Sequence, residues 1–373
     1  MGRLADGGWI GREWKRQRHP VPTWISHSPA MSRSPLAPPF NSPWFLRGGH
    51  RQTLAGVWAR QRFAPETARQ HRVPLPDGDA LVLHDDLPPQ WQAGDRVALL
   101  VHGLAGSHAS PYMRRIAGRL NARGVRTFRL DQRTCGAGLT LARRAYHCGR
   151  SDDVRAALWW LTEACPGSPL ALVGFSMGGS LVLKLAGEAP DLVPPGLVSV
   201  FAACPPLELQ RCVRYLQRGL HRLYDQYFAR LLCEHVVRWQ AANPQAPRVT
   251  FRRPPRSIEE FDDVFTAPLG GFSSAADYYH QSSPLQFIPQ IRVPTTILAA
   301  HDDPMVDPEP LRQVARPAAV TAHLVPGGGH LGFISRGGND PDQWWLDWRV
   351  VDWVLHPPPG GATESPPGRG RLE

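Results

Sequence analysis

Residues 170–188 read LALVGFSMGGSLVLKLAGE. The first six, Leu170 to Phe175, form a continuous apolar run of the kind found in a strand buried on both faces. The residues from Met177 onward carry apolar side chains at helical spacing. Ser176 stands at the joint, inside Gly174-Phe175-Ser176-Met177-Gly178. A serine at a sharp strand-to-helix turn sits in strained backbone with little room beside it. Glycines two residues to either side remove the Cβ atoms that would collide. Such a turn lifts the hydroxyl clear of the sheet, to the N-terminus of a helix. Free N–H groups and the helix dipole there favour developing negative charge. A G-x-S-x-G string alone is common, but one placed between a strand and a helix points to a nucleophile.

Outward from this joint the chain alternates. HRVPLPDGDALVLHDDL (residues 71–87) predicts two strands around an Asp77-Gly78 turn. Further strands are expected at 97–101, 125–130, 197–201, 294–299 and 320–325. Helices are expected at 111–123, at 151–164 behind a Ser-Asp-Asp cap, and at about 341–355. Strands alternating with helices imply an α/β protein whose mostly parallel sheet is covered on both faces. The alternation breaks between Cys204 and Ile291. Leu209, Val213, Leu216, Leu220, Leu223, Tyr227, Leu231 and Val236 recur there at helical spacing. The expected organisation is therefore a core over 36–203 and 292–355, with a helical cap inserted at 204–291. Residues 1–35 and the Pro/Gly-rich stretch 356–373 are expected to be disordered. Met31 is an alternative start.

Composition narrows the class of function. The 373-residue chain carries a net charge of +10, yet its basic residues are scattered and almost all arginine, the exceptions being Lys15 and Lys184. No nucleic-acid-binding module accompanies them, so no nucleic-acid partner is expected. The six cysteines form no C-x-x-C pair and show no zinc spacing, so no metal is expected, and a reduced state is. Neither a spanning apolar stretch nor a signal peptide is visible, and a cytoplasmic protein is expected. The basic amphipathic stretch at 209–240 leaves peripheral membrane contact as a minority alternative to plain packing.

A serine hydroxyl needs a base, and the base needs an orienting acid. Where the serine sits on such a turn, the partners follow in the order acid, then histidine. The loop after the last strand is Pro326-Gly-Gly-Gly-His330, which makes His330 the expected base among 15 histidines. The loop after the preceding strand holds Asp302, Asp303 and Asp307. Asp303 is the expected acid because it directly precedes Pro304-Met305-Val306; Asp302 is the alternative and Asp307 a lesser one. For the oxyanion, one donor is the N–H of Met177. The other is expected from His102-Gly-Leu-Ala-Gly-Ser107, at Leu104 first and Ala105 next. His102 is expected to brace that loop.

Several stretches together resemble one family, the YheT-like branch of the α/β hydrolases, over about residues 43–355. They are Trp44-Phe-Leu-Arg-Gly-Gly-His50-Arg-Gln-Thr53, the His102–Tyr112 loop, Arg144-Ala-Tyr-His147-Cys-Gly149, and Phe261–Phe272 with Asp277-Tyr-Tyr279. The resemblance implies an α/β-hydrolase fold with an eight-stranded type of sheet. It also implies an esterase-type hydrolase with the triad on Ser176, Asp303 and His330, and places His50 and His147 near the site. Read from the residues alone, both histidines are structural. One departure stands out: the family's R-G-C-x-G appears as Arg133-Thr134-Cys135-Gly136.

The expected activity is cleavage of small-molecule or lipid carboxylic esters through an acyl-enzyme, without a cofactor. The alternatives are an acyltransferase with the same triad, and a ligand-binding protein that keeps the fold without catalysis.

Overall fold

The computed structural model describes residues 38–58, 63 and 66–357. The expected N-terminal extension lies outside them, as does the expected tail beyond its first two residues.

Eight strands form one sheet in the order β1-β2-β4-β3-β5-β6-β7-β8. They are β1 (Arg69–Pro74), β2 (Ala80–Asp86), β3 (Val97–Val101), β4 (Arg126–Asp131), β5 (Leu170–Phe175), β6 (Leu197–Ala203), β7 (Thr295–Ala300) and β8 (Val320–Val325). β2 runs antiparallel to both neighbours and every other pairing is parallel. Successive side chains of a strand point to opposite faces, so the central strands must be apolar at every position. Leu99, Val101 and Leu172 accordingly pack into one core layer, while Ala98, Leu100, Ala171, Val173 and Phe175 pack into the other.

The helices are α1 (Gly49–Trp58), α2 (Pro111–Asn121), α3 (Ser151–Ala164), α4 (Met177–Glu188), α5 (Leu209–Leu216), α6 (Arg222–Ala242), α7 (Ile258–Phe261), α8 (Ala267–Gly270), α9 (Ala275–Ser282), α10 (Glu309–Gln313) and α11 (Trp345–Leu355). A π-helical turn, Asp262–Thr266, joins α7 to α8. The chain between β6 and β7 thus contributes α5 to α9. α3 starts at the expected residue, but Ser151 does not cap it: its hydroxyl donates to Glu188 Oε2 at 2.6 Å. α11 starts four residues later than expected, because Gln343 and Trp344 instead bond the chain at Ser335 and Ile334. All six cysteines are free.

One feature of this topology places a site. From β3 the chain crosses to β4 on one side, while β5 lies on the other. Loops leaving the carboxyl ends of β3 and β5 therefore diverge, and a crevice opens between them at the point where the strand order reverses. Val101 and Gly174 are paired at that edge.

Candidate active site

Ser176 bridges β5 and α4 with φ +51 and ψ −121, backbone that a side chain rarely adopts. The surroundings enforce it. A Cβ at Gly178 would meet the Val101 carbonyl oxygen at 2.3 Å, and one at Gly174 would meet the Gly178 oxygen at the same distance. The start of α4 is thus pressed directly onto the strand ends. Met177, the first helical residue, has an N–H with no helical acceptor behind it.

The loop after β3 lies against this turn. A Cβ on Gly103 would sit 3.0 Å from that of Ser176. The Gly103 N–H donates to Tyr112 Oη, that of Ala105 to Tyr146 Oη, and that of Gly106 to the Gly103 carbonyl. Leu104 is left with an N–H that has no acceptor among the described residues. His102 is fully buried, with Nδ1 2.8 Å from the Gly103 carbonyl oxygen, while the Gln132 backbone N–H donates to Nε2 at 3.4 Å and its side-chain amide to the His102 carbonyl at 3.0 Å. This is the bracing role expected of it.

His330 Nε2 lies 2.9 Å from Ser176 Oγ, and its Nδ1 lies 2.8 Å from Asp303 Oδ2. A carboxylate only accepts, so Nδ1 carries the proton and Nε2 accepts from the serine hydroxyl. The other oxygen of Asp303 accepts the N–H groups of Met305 and Val306. Asp302 turns away: its Oδ1 accepts the Gly329 N–H at 2.9 Å. Asp307 pairs with Arg211. Of the three candidates, only Asp303 reaches the imidazole.

The loop carrying His330 is held by α1, which sequence reasoning did not foresee. The His330 N–H donates to Thr53 Oγ1, and the Gln52 amide bonds both the N–H and the carbonyl of Ile334. A Cβ on Gly329 would strike the Gly49 carbonyl at 2.3 Å and Thr53 Oγ1 at 2.6 Å. The glycines before His330 thus permit contact with a helix 277 residues away. The Gln-Thr pair in the quoted N-terminal segment was the available signal, but only a known contact gives it meaning.

His50 bonds Tyr224 Oη through Nδ1 at 3.0 Å and stacks on that ring, tying α1 to α6. Burial, and secondarily the nearby His221, lower its pKa. His147 lines the cavity above Ser176 and is held neutral: burial pushes its pKa down to about 3, with Arg150 adding to the effect. That cavity has a volume of 510 Å³ and is mostly apolar, walled by Leu104, Val213, Leu232, Phe265 and Met305 among others. Its one strongly perturbed acid is Asp262, raised to about 7 by burial despite hydrogen bonds from Thr266 and Tyr279.

The departure at Thr134 has a visible consequence. Thr134 adopts φ +61, a conformation suited to the family's glycine. Its Oγ1 is hydrogen-bonded to Nε2 of His235, a cavity-lining residue of α6.

A chain with this sheet, this turn and this convergence of side chains has the α/β hydrolase fold, and the family model of that description matches residues 97–336. Within that class it belongs to the YheT-like branch. It is 35% identical over 312 residues to "Putative esterase YheT" of Escherichia coli, covering 82% of this chain and 89% of that one. "Medium-chain fatty acid ethyl ester synthase/esterase 2" of Saccharomyces cerevisiae is 26% identical over 65% of this chain and 59% of its own length. Among solved structures, the 2,6-dihydroxy-pseudo-oxynicotine hydrolase superposes with a TM-score of 0.51 at 14% identity, over 82% of this chain and 72% of that one. That likeness speaks to the fold alone. Among the described residues no helix is long and apolar enough to cross a membrane.

Proposed function

We propose that this chain is a serine hydrolase of carboxylic esters. The observation that carries the reading is the hydrogen-bonded line Ser176 Oγ to His330 Nε2 and His330 Nδ1 to Asp303 Oδ2, at 2.9 and 2.8 Å, beneath an apolar cavity. Ser176 attacks the ester carbonyl while His330 takes its proton. Asp303 holds the imidazole tautomer and stabilises the imidazolium. The N–H groups of Met177 and Leu104 receive the oxyanion. His330 then protonates the leaving alcohol, and water, activated by the same imidazole, releases the acid. Residues 204–291 act as the cap whose helices enclose the acyl chain.

The test is direct. Labelling by a fluorophosphonate probe and turnover of p-nitrophenyl esters are expected in the parent and absent in Ser176→Ala. No labelling of the parent would leave only a ligand-binding role for the fold. The cavity wall also bears on transfer to an alcohol, since an apolar enclosure limits water, and the yeast relative is named for both synthesis and hydrolysis. Product analysis with added ethanol separates the two: ethyl ester formation that exceeds acid release marks an acyltransferase.

A further inference from the structure

His147 is only 8% exposed and lines the cavity, and one of its two ring nitrogens has no protein partner among the described residues. The Gly149 N–H donates to Nδ1 at 3.1 Å, so Nδ1 is an acceptor. The ring is neutral, for burial among Phe272 and Tyr278 disfavours its charged form. A neutral imidazole that accepts at Nδ1 must carry its proton at Nε2. No acceptor for that N–H exists among the described residues, and the ring lines the cavity above Ser176. The N–H reaches the cavity instead of being sealed in the core, so what fills the cavity decides whether it is satisfied.

The surrounding wall is polar as well. Asp262 is 6% exposed and also lines the cavity. Its Oδ2 accepts from Tyr279 Oη at 2.7 Å, and Tyr279 packs on the Tyr278 ring that flanks His147. Asp262 belongs to the π-helical turn, an irregularity frequent at functional sites. A patch of polar groups thus interrupts an otherwise apolar acyl pocket, with a donor at its edge and no protein acceptor for it.

We infer that His147 Nε2–H is a substrate-binding donor, and that the preferred esters carry a second oxygen function, hydroxyl or carbonyl, besides the scissile ester. This rests on, and narrows, the ester-hydrolase reading above. An apolar acyl chain would leave the donor unpaired in the complex, whereas an oxygen on the chain satisfies it; a site built around such a bond rejects the analogue that lacks it.

The experiment separates this inference from catalysis by measuring binding. In the Ser176→Ala protein, calorimetry compares ethyl hexanoate with ethyl 3-hydroxyhexanoate and ethyl 6-hydroxyhexanoate. One of the hydroxy esters is expected to bind about tenfold more tightly than the plain ester, the worth of one neutral hydrogen bond. His147→Phe in that background should erase the difference, and His147→Gln, which keeps an N–H donor, should restore part of it. Should the Phe variant fail to fold, the Nε2 resonance of ¹⁵N-labelled His147 gives the same answer without a substitution. It moves with the hydroxy ester and stays in place with ethyl hexanoate. Equal binding of all three esters, a preference that survives in His147→Phe, or an unmoved resonance overturns the inference. Turnover of esters by the Ser176 parent without such a preference sinks this inference alone; a preference without turnover sinks the hydrolase reading alone.

Discussion

Asp302 and Asp303 are adjacent in sequence and bond different parts of the same loop. Asp303 faces the imidazole, while Asp302 holds the Gly329 N–H one residue away from it. Asp303→Asn should therefore lower kcat by up to about ten-thousand-fold, because an amide favours the wrong tautomer. Asp302→Asn keeps an oxygen that can accept from Gly329, so its loss should stay within about tenfold. Steady-state kinetics on one p-nitrophenyl ester compares them, and equal losses would reassign the acid. Sequence could place both carboxylates after β7 but could choose between them only on the Pro-Met-Val context, since direction depends on how the loop turns. Asp262 offers a pH test. Its pKa is raised by burial to about 7 from an ordinary value of 3.8. Between those values the unfolded chain has released the proton while the folded chain keeps it. Stability attributable to this residue must then fall as pH rises from about 4 to about 7 and level off above. In Asp262→Asn that penalty is absent. The Tm of the variant minus that of the parent should climb across this window, and a flat difference would show that the carboxyl titrates normally.

At the level of elements, α1 and the loop after β8 form one unit, though 277 residues separate Thr53 from His330. Thr53→Val removes the acceptor of the His330 N–H with little change of shape. A buried donor left unpaired costs about 1–3 kcal/mol, and the imidazole loses its fixed height above Ser176. The expected result is a lower denaturation midpoint together with a fall in kcat larger than any change in KM, both rescued by Thr53→Ser. Unaltered kinetics would reduce the contact to scaffolding. The elements themselves were legible where period and punctuation agree: β3, β5 and β8 fall on the residues their apolar runs predict. A boundary shifted where the chain paired elsewhere: α11 starts at Trp345 because Gln343 and Trp344 bond the chain at Ser335 and Ile334. The bracing by Gln52 and Thr53 was not legible, because hydrogen bonds between distant loops leave no periodic trace. Thr134 is the opposite case, a visible departure whose meaning required coordinates. Its φ of +61 suits glycine, and its hydroxyl is bonded to His235 on the cavity wall.

Across the whole molecule, the site exists because sheet order and chain insertion coincide. The strand order reverses beside β3 and β5, which opens the crevice, and the chain between β6 and β7 supplies α5, α6, α7 and α9, whose residues line it. The hydrogen-bonded line from Ser176 to Asp303 comes from the sheet's loops and much of the cavity wall from the chain between β6 and β7, so on the proposed function chemistry and acyl binding should vary separately. Val213 tests this. It is buried on α5, lines the cavity and takes no part in the hydrogen-bonded line from Ser176 to Asp303. Val213→Trp should fill part of the 510 Å³ and exclude the end of longer acyl chains. Each excluded methylene forfeits about 0.8 kcal/mol of burial, or about fourfold in kcat/KM. Acetyl and butyryl p-nitrophenyl esters should be turned over about as well as by the parent, while octanoyl and decanoyl esters fall by a factor that grows with chain length. A uniform drop across the series would mean that α5 supports the triad itself, and that the division of labour between sheet and insertion is wrong.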